Sequence, residues 1–143
     1  MRNLVIAALA FGALIVGPLA LAQERTPSAP TAEVYIISPK NGTTVHNPVL
    51  VQFGLKGMGI APAGVKFDNT GHHHLLIDTD PPADMSAPLP ATDNIVHFGK
   101  GQTETTVTLK PGKHTLQLLL ADMSHVPHQP PVISKKITIT VAP

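Results

Sequence analysis

Residues 103–121, TETTVTLKPGKHTLQLLLA, contain the pattern that decides the fold class. The character of the side chains in the first seven residues of this stretch alternates with a period of two. Such a pattern is typical of a β-strand with one buried face. Pro111-Gly112 predicts a turn. After the turn, Leu116, Leu118 and Leu120 would share the face directed toward a core, with Gln117 on the other face. Two strands joined by a tight corner predict an all-β fold.

Further short β-type runs lie on both sides of this corner, separated by turns rich in Gly, Pro, Asn and Asp. About seven strands with regular turns predict an immunoglobulin-like or fibronectin-like β-sandwich. The predicted strands are residues 34–37, 49–53, 73–78, 95–98, 103–109, 114–121 and 132–141.

The N-terminal residues 1–22 predict a signal peptide. Arg2 gives a positive start, Leu4–Ala22 contains no charge, and Ala20-Leu21-Ala22 has the small-x-small pattern that signal peptidase cuts. An uncleaved membrane anchor is the alternative, because 19 uncharged residues approach the length that spans a bilayer. Gly17-Pro18, just ahead of the cut, favours cleavage and therefore a periplasmic or secreted protein.

The rest of the chain divides into two parts. Residues 23–32 are small, polar and proline-bearing, so they predict a flexible leader. Residues 33–143 form the predicted β-sandwich domain. No segment after the cleavage site is long and apolar enough to insert stably into a membrane.

Composition excludes several classes of function. Without Arg2, nine Lys+Arg balance nine Asp+Glu, so no strong field would attract nucleic acid or an anionic membrane. Cysteine is absent, so the fold has no disulfide and no thiol nucleophile. The chain also lacks a Gly-x-Ser-x-Gly elbow and a phosphate-binding glycine loop, and we therefore expect a protein that is not an enzyme.

The sequence contains eight histidines, an unusual number for its length, and their positions are its main clue to chemistry. In the predicted sandwich the strand 73–78 pairs antiparallel with the strand 114–121, so the start of the first lies beside the end of the second. His72 and His74 would share one side of their strand. His125 and His128 follow the end of the partner strand. The loop that contains them also contains prolines, which fix backbone angles and stiffen it. The two groups should therefore converge at one end of one sheet.

This convergence predicts a transition-metal site for copper or zinc. The four predicted ligands are His72, His74, His125 and His128, with His73, His97 and Met123 as second choices. A thioether would favour Cu(I), whereas imidazoles with a carboxylate suit zinc. The alternative is a non-catalytic module that binds an unknown protein of the cell envelope, with histidines that only hold the sandwich end together through hydrogen bonds.

The face that each histidine occupies stays open at the sequence level. If Leu75 and Ile77 point into the core, His73 points inward and His72 and His74 point outward; the opposite choice puts Leu76 inward. His114 lies where this fold often carries a corner tyrosine that bonds to the backbone upstream, so we expect it to be structural.

Several segments resemble a family of bacterial proteins, the domain of unknown function 4399. The resemblance covers nearly all of the chain after the signal peptide, and the GHHHLLID segment and the HVPH segment are its most specific parts. It implies a secreted, histidine-rich bacterial domain and carries over no activity and no ligand. The segments that carry it are residues 38–42, 53–59, 69–78, 97–105, 111–118 and 125–128.

Overall fold

The computed structural model describes residues 24–143, and these residues form nine β-strands and no helix. None of the described residues therefore lies in a helix that could cross a membrane. The predicted signal peptide, residues 1–22, lies outside the described residues. The strands are β1 Glu33–Ser38, β2 Thr44–Val45, β3 Val49–Lys56, β4 Gly59–Ile60, β5 Thr70–Ile77, β6 Ile95–His97, β7 Glu104–Val107, β8 Gly112–Ala121 and β9 Ile137–Val141.

Two sheets pack together, which confirms the predicted β-sandwich. The smaller sheet has the order β1-β3-β7, and the larger has the order β2-β9-β8-β5-β4, with β6 also paired to β5. The predicted strand count of about seven differs from the observed count because β2 and β4 are only two residues long. Both lie outside the predicted strands, and both form short parallel pairs, β2 with β9 and β4 with β5.

The core lies between the two sheets. Each strand alternates its side chains, so one face of each sheet supplies the apolar layer. Leu116, Leu118 and Leu120 of β8 are fully buried there, as predicted. Burying a side chain of this size stabilises the fold by about 1.5–3 kcal/mol. The other buried members are Val34, Val49, Val51, Phe53, Leu75, Ile77, Phe98, Val132, Ile139 and Val141.

The central strand β5 is buried on both of its faces. Leu75 and Ile77 point into the core, which confirms the first of the two predicted arrangements and puts His72 and His74 on the outer face. A second apolar cluster covers that outer face, because the connection after β5 folds back over it. The buried members of this cluster are Leu76, Leu89, Ile95, Leu119 and Ala121.

The segment 24–32, for which the sequence predicts a flexible leader, makes specific contacts with the loop after β8. Arg25 Nε donates to the Pro127 carbonyl at 2.9 Å. Thr26 Oγ1 donates to Asp122 Oδ2 at 2.6 Å. The backbone N–H of Gln129 donates to the Thr26 carbonyl at 2.9 Å. The composition of the leader does not anticipate these hydrogen bonds, whose partners lie about a hundred residues away.

Candidate metal centre

The first half of β5 and its neighbours place three histidines on one face of the larger sheet. His72 lies opposite Ala121 in the β5–β8 pairing, and His74 lies opposite Leu119. On the other edge of β5, His97 of β6 lies opposite His74. Opposite residues in antiparallel strands share a face, so the three imidazoles point the same way.

A tight turn after β8 adds a fourth imidazole. The N–H of His125 donates to the Asp122 carbonyl at 2.9 Å, and the Leu89 N–H donates to the His125 carbonyl at 2.8 Å. His125 has a φ of 65°, a left-handed backbone conformation that non-glycine residues adopt at a cost. Its Nδ1 lies 3.1 Å from Nε2 of His72.

One nitrogen from each of the four rings of His72, His74, His97 and His125 lies within 4.8 Å of the other three. The ring centroids are 4.4–6.0 Å apart. In a tetrahedral zinc site with Zn–N bonds of about 2.0–2.1 Å, ligand nitrogens lie about 3.3 Å from one another. His72 Nε2 and His125 Nδ1, which lie at hydrogen-bonding distance of 3.1 Å, are already close to this spacing.

The cluster is sheltered and incompletely hydrogen-bonded. His72 and His74 are 0% and 1% exposed, and His97 and His125 are half-buried, so they form the side open to an incoming ion. Among the described residues, Nδ1 of His72, Nδ1 of His74 and Nε2 of His97 are buried without a hydrogen-bond partner. Each buried unsatisfied nitrogen costs about 1–3 kcal/mol. A cation bound in the cluster takes one nitrogen from each ring, so it removes this cost only where the unpaired nitrogen faces the ion. His72 faces His125 through Nε2, so its Nδ1 would stay unpaired.

Burial favours the neutral form of the imidazoles of His72, His74 and His97. It lowers the pKa of His72 to about 4, assisted by the neighbouring His97 and His125. It lowers the pKa of His74 to about 3, assisted by His72, His97 and His125. The pKa of His97 is also lowered, first by burial and then by His125. At neutral pH each of these rings therefore has one lone pair for a metal, and metal binding displaces no proton from it.

The structure does not bring His128 into this group. Its fully buried ring lies on the other side of β5, and its Nε2 donates to the Thr70 carbonyl at 3.2 Å. A Cβ built on Gly71 would lie 2.8 Å from Cε1 of His128, so glycine is needed for this packing. The hydrogen bond and close packing are those of a structural histidine.

Two of the second-choice ligands are also outside the group. His73 points into the core, where its ring centroid is 5.1 Å from that of Phe53, and burial lowers its pKa to about 4. Met123 lines a separate cavity of about 320 Å³ together with Thr26 and Phe67. His97, the remaining second choice, is in the group. The sequence would have placed His97 in the group if the predicted strand 95–98 had been paired with β5.

His114 occupies the corner between β7 and β8, as expected. Its Nε2 lies 2.7 Å from the carbonyl oxygen of Lys110, four residues upstream, and its Nδ1 lies 2.6 Å from Oδ2 of Asp78. The same carboxylate accepts a hydrogen bond from the Thr115 N–H at 2.8 Å. His114 therefore links the corner to the end of β5, far from the histidine cluster.

Comparison with known proteins gives one match. The family model described as "Domain of unknown function (DUF4399)" matches residues 51–142, more than half of the chain, so the chain belongs to this family. The matched region includes all four residues of the cluster. No curated protein and no solved structure matches the chain significantly.

Proposed function

We propose that this member of the domain of unknown function 4399 family binds one transition-metal ion, Cu(II) or Zn(II), through the imidazoles of His72, His74, His97 and His125. The observation that carries the proposal is their convergence from three separate segments, with one nitrogen of each ring within 4.8 Å of the others. The proposed role is binding, with no catalytic step.

The donor set favours this pair of ions. Imidazole nitrogen suits Zn, Cu, Fe and Ni, and affinity along the divalent series is highest for Cu(II). Four imidazole nitrogens can close a tetrahedral zinc site or a tetragonal copper site. Met123 lines a cavity with Thr26 and Phe67 whose walls include none of the four histidines, so the proposal includes no thioether ligand of the kind that favours Cu(I).

The energetic balance also supports a ligand. Several buried nitrogens in one small volume reduce stability when they are unpaired, and apolar side chains of similar size would avoid that cost. The neutral state of the rings keeps their lone pairs ready for an ion at neutral pH. A structural role fits His73, whose buried ring packs against Phe53, and His128, whose buried ring donates to the Thr70 carbonyl, and we leave both out of the site.

Export is part of the proposal. It is supported by the uncharged stretch Leu4–Ala22 and by its Ala20-Leu21-Ala22 end, which predict a cleaved signal peptide. The protein would then meet its ion in the periplasm or outside the cell, where the imidazole donors, unlike thiolates, are not lost to disulfide formation.

The test is metal titration of the exported form, beginning at Gln23 and free of any histidine tag. Calorimetry with Zn(II) and Cu(II) should show one ion per chain with a dissociation constant below about 1 µM. His97→Ala and His125→Ala, which alter half-buried side chains, should each weaken binding by at least about 100-fold.

The matched control is His46→Ala, because His46 is an exposed histidine outside the cluster. This variant should bind with wild-type affinity and stoichiometry. Weak binding of several ions per chain, unchanged in His97→Ala and His125→Ala, would reject the metal site and leave the histidines structural.

A further inference from the structure

Asp122 is the residue that builds the turn carrying His125. Its Oδ1 accepts hydrogen bonds from the N–H groups of Ser124 and Val126, at 2.9 and 3.0 Å. Its Oδ2 accepts from Thr26 Oγ1 at 2.6 Å. Because the two backbone donors lie on either side of His125, the carboxylate fixes the segment that aims this ring at His72.

The same carboxylate is a buried negative charge near the cluster. Asp122 is only 5% exposed, and its backbone carbonyl accepts from the N–H of His125, a member of the cluster, at 2.9 Å. All three side-chain hydrogen bonds of Asp122 come from donor groups, and its two carboxyl oxygens act as acceptors in each of them. Four neutral imidazoles around a divalent ion would leave two positive charges in a sheltered volume, where an uncompensated charge is costly.

We propose that Asp122 is the positioning and charge-compensating residue of the metal site, and that it makes the site select a divalent ion over Cu(I). This inference rests on the proposed function and adds its ion selectivity. A carboxylate at a fixed distance attracts a doubly charged ion about twice as strongly as a singly charged one. The residue need not touch the ion to have this effect.

Asp122→Asn separates the charge from the turn. The Asn side chain keeps a carbonyl oxygen that can accept from the Ser124 and Val126 N–H groups, and it removes the negative charge. Its NH2 replaces the oxygen that accepts from Thr26 Oγ1, and that hydroxyl can rotate to accept instead. We expect the affinity for Cu(II) to fall about 10- to 100-fold, in the range typical of residues that support ligands. The affinity for Cu(I) should fall less, so the ratio of Cu(II) to Cu(I) affinity decreases.

The experiment measures Cu(II) and Cu(I) dissociation constants by competition with chelators, for the wild type and each variant of the exported form. Asp78→Asn is the matched control, since Asp78 also accepts a backbone N–H but lies six residues beyond His72, about 20 Å along the strand. It should leave both affinities unchanged. Asp122→Glu, which retains the charge, should preserve the ratio even where absolute affinity falls.

A second pair of variants tests the charge without altering Asp122. Thr26→Lys places an ammonium group beside the carboxylate and should lower the ratio in the same direction, whereas Thr26→Val should not. This pair decides the matter if Asp122→Asn fails to fold. An equal loss of both affinities in Asp122→Asn, or an unchanged ratio in Thr26→Lys, would overturn the inference. A wild type that binds neither Cu(II) nor Zn(II) would instead refute the proposed function itself.

Discussion

His97 of β6 lies directly opposite His74 of β5, with ring centroids 5.1 Å apart and ring planes inclined by 29°. This register brings a residue from the long connection after β5 into the histidine cluster. Opposite residues in paired strands share a face. A shift of the β5–β6 register by one residue would therefore turn His97 away from the cluster and toward the core. The place of His97 in the cluster thus depends on a pairing only three residues long.

Gly99→Ala should weaken metal binding without removing a ligand. A Cβ at this position would lie 2.3 Å from Cε1 and 2.5 Å from Nε2 of His97, too close for the ring to stay in place. We expect a loss of about 10- to 100-fold in Zn(II) affinity, measured by calorimetry. Gly59→Ala is the control, because its Cβ would meet Thr70 Cγ2 at 3.4 Å and the Asn69 carbonyl oxygen at 4.0 Å, both ordinary contacts. Equal affinities in Gly99→Ala and the wild type would show that His97 is not a ligand.

His125→Gly should abolish high-affinity metal binding and leave the stability of the metal-free protein equal or higher. Glycine adopts a φ of 65° freely, whereas a non-glycine residue in such a conformation costs about 1–3 kcal/mol. The measurements are urea unfolding of the metal-free protein and a parallel Zn(II) titration. A large loss of stability in this variant would mean that the His125 ring mainly packs, which contradicts a ligand role.

The strand pattern predicted much of this arrangement and failed at the loops. The period-two alternation and the pairing of neighbouring strands were enough to bring His72 and His74 together with His125. The position of His128 could not be predicted, because a bridge between Ala121 and Pro127 turns the chain back and directs the ring toward Gly71. Such a bridge depends on backbone geometry in a proline-rich loop, which has no periodic signal.

The register of β6 against β5, which places His97 in the cluster, could not be predicted from the sequence either. Residues 79–94 form an irregular connection whose length does not fix where β6 meets β5. The contacts of residues 24–32 were missed for a related reason. The hydrogen bonds of Arg25 and Thr26 join residues that are about a hundred positions apart, and local composition cannot report them.

His128→Ala should reduce stability and leave the metal affinity nearly unchanged. The substitution removes a fully buried ring that packs on Gly71 and donates to the Thr70 carbonyl. We expect the free energy of unfolding to fall by about 2 kcal/mol or more, as for other buried large-to-small changes. Zn(II) affinity at a temperature where the variant is folded should stay within about threefold of the wild type. A lost zinc site with unchanged stability would assign His128 to the metal after all.

The stabilising contribution of His114 should be lost as the pH rises above the ordinary histidine pKa of about 6.5. Its two ring nitrogens face the Asp78 carboxylate and the Lys110 carbonyl oxygen, and both can donate only when the ring is protonated. The hydrogen bond with Asp78 is the main reason that the pKa of His114 is raised. The stabilisation is therefore complete below the unfolded value of about 6.5 and is lost as the pH rises through the folded value.

The measurement is urea unfolding of the wild type and His114→Gln at several pH values from 6 to 9. The difference between their unfolding free energies should be largest at pH 6 and should shrink as the pH rises. Titration of His72, His73 and His74 cancels in this difference, because both proteins contain the same cluster. A difference that stays constant with pH would show that His114 acts as a neutral ring, and that the corner is held without an imidazolium.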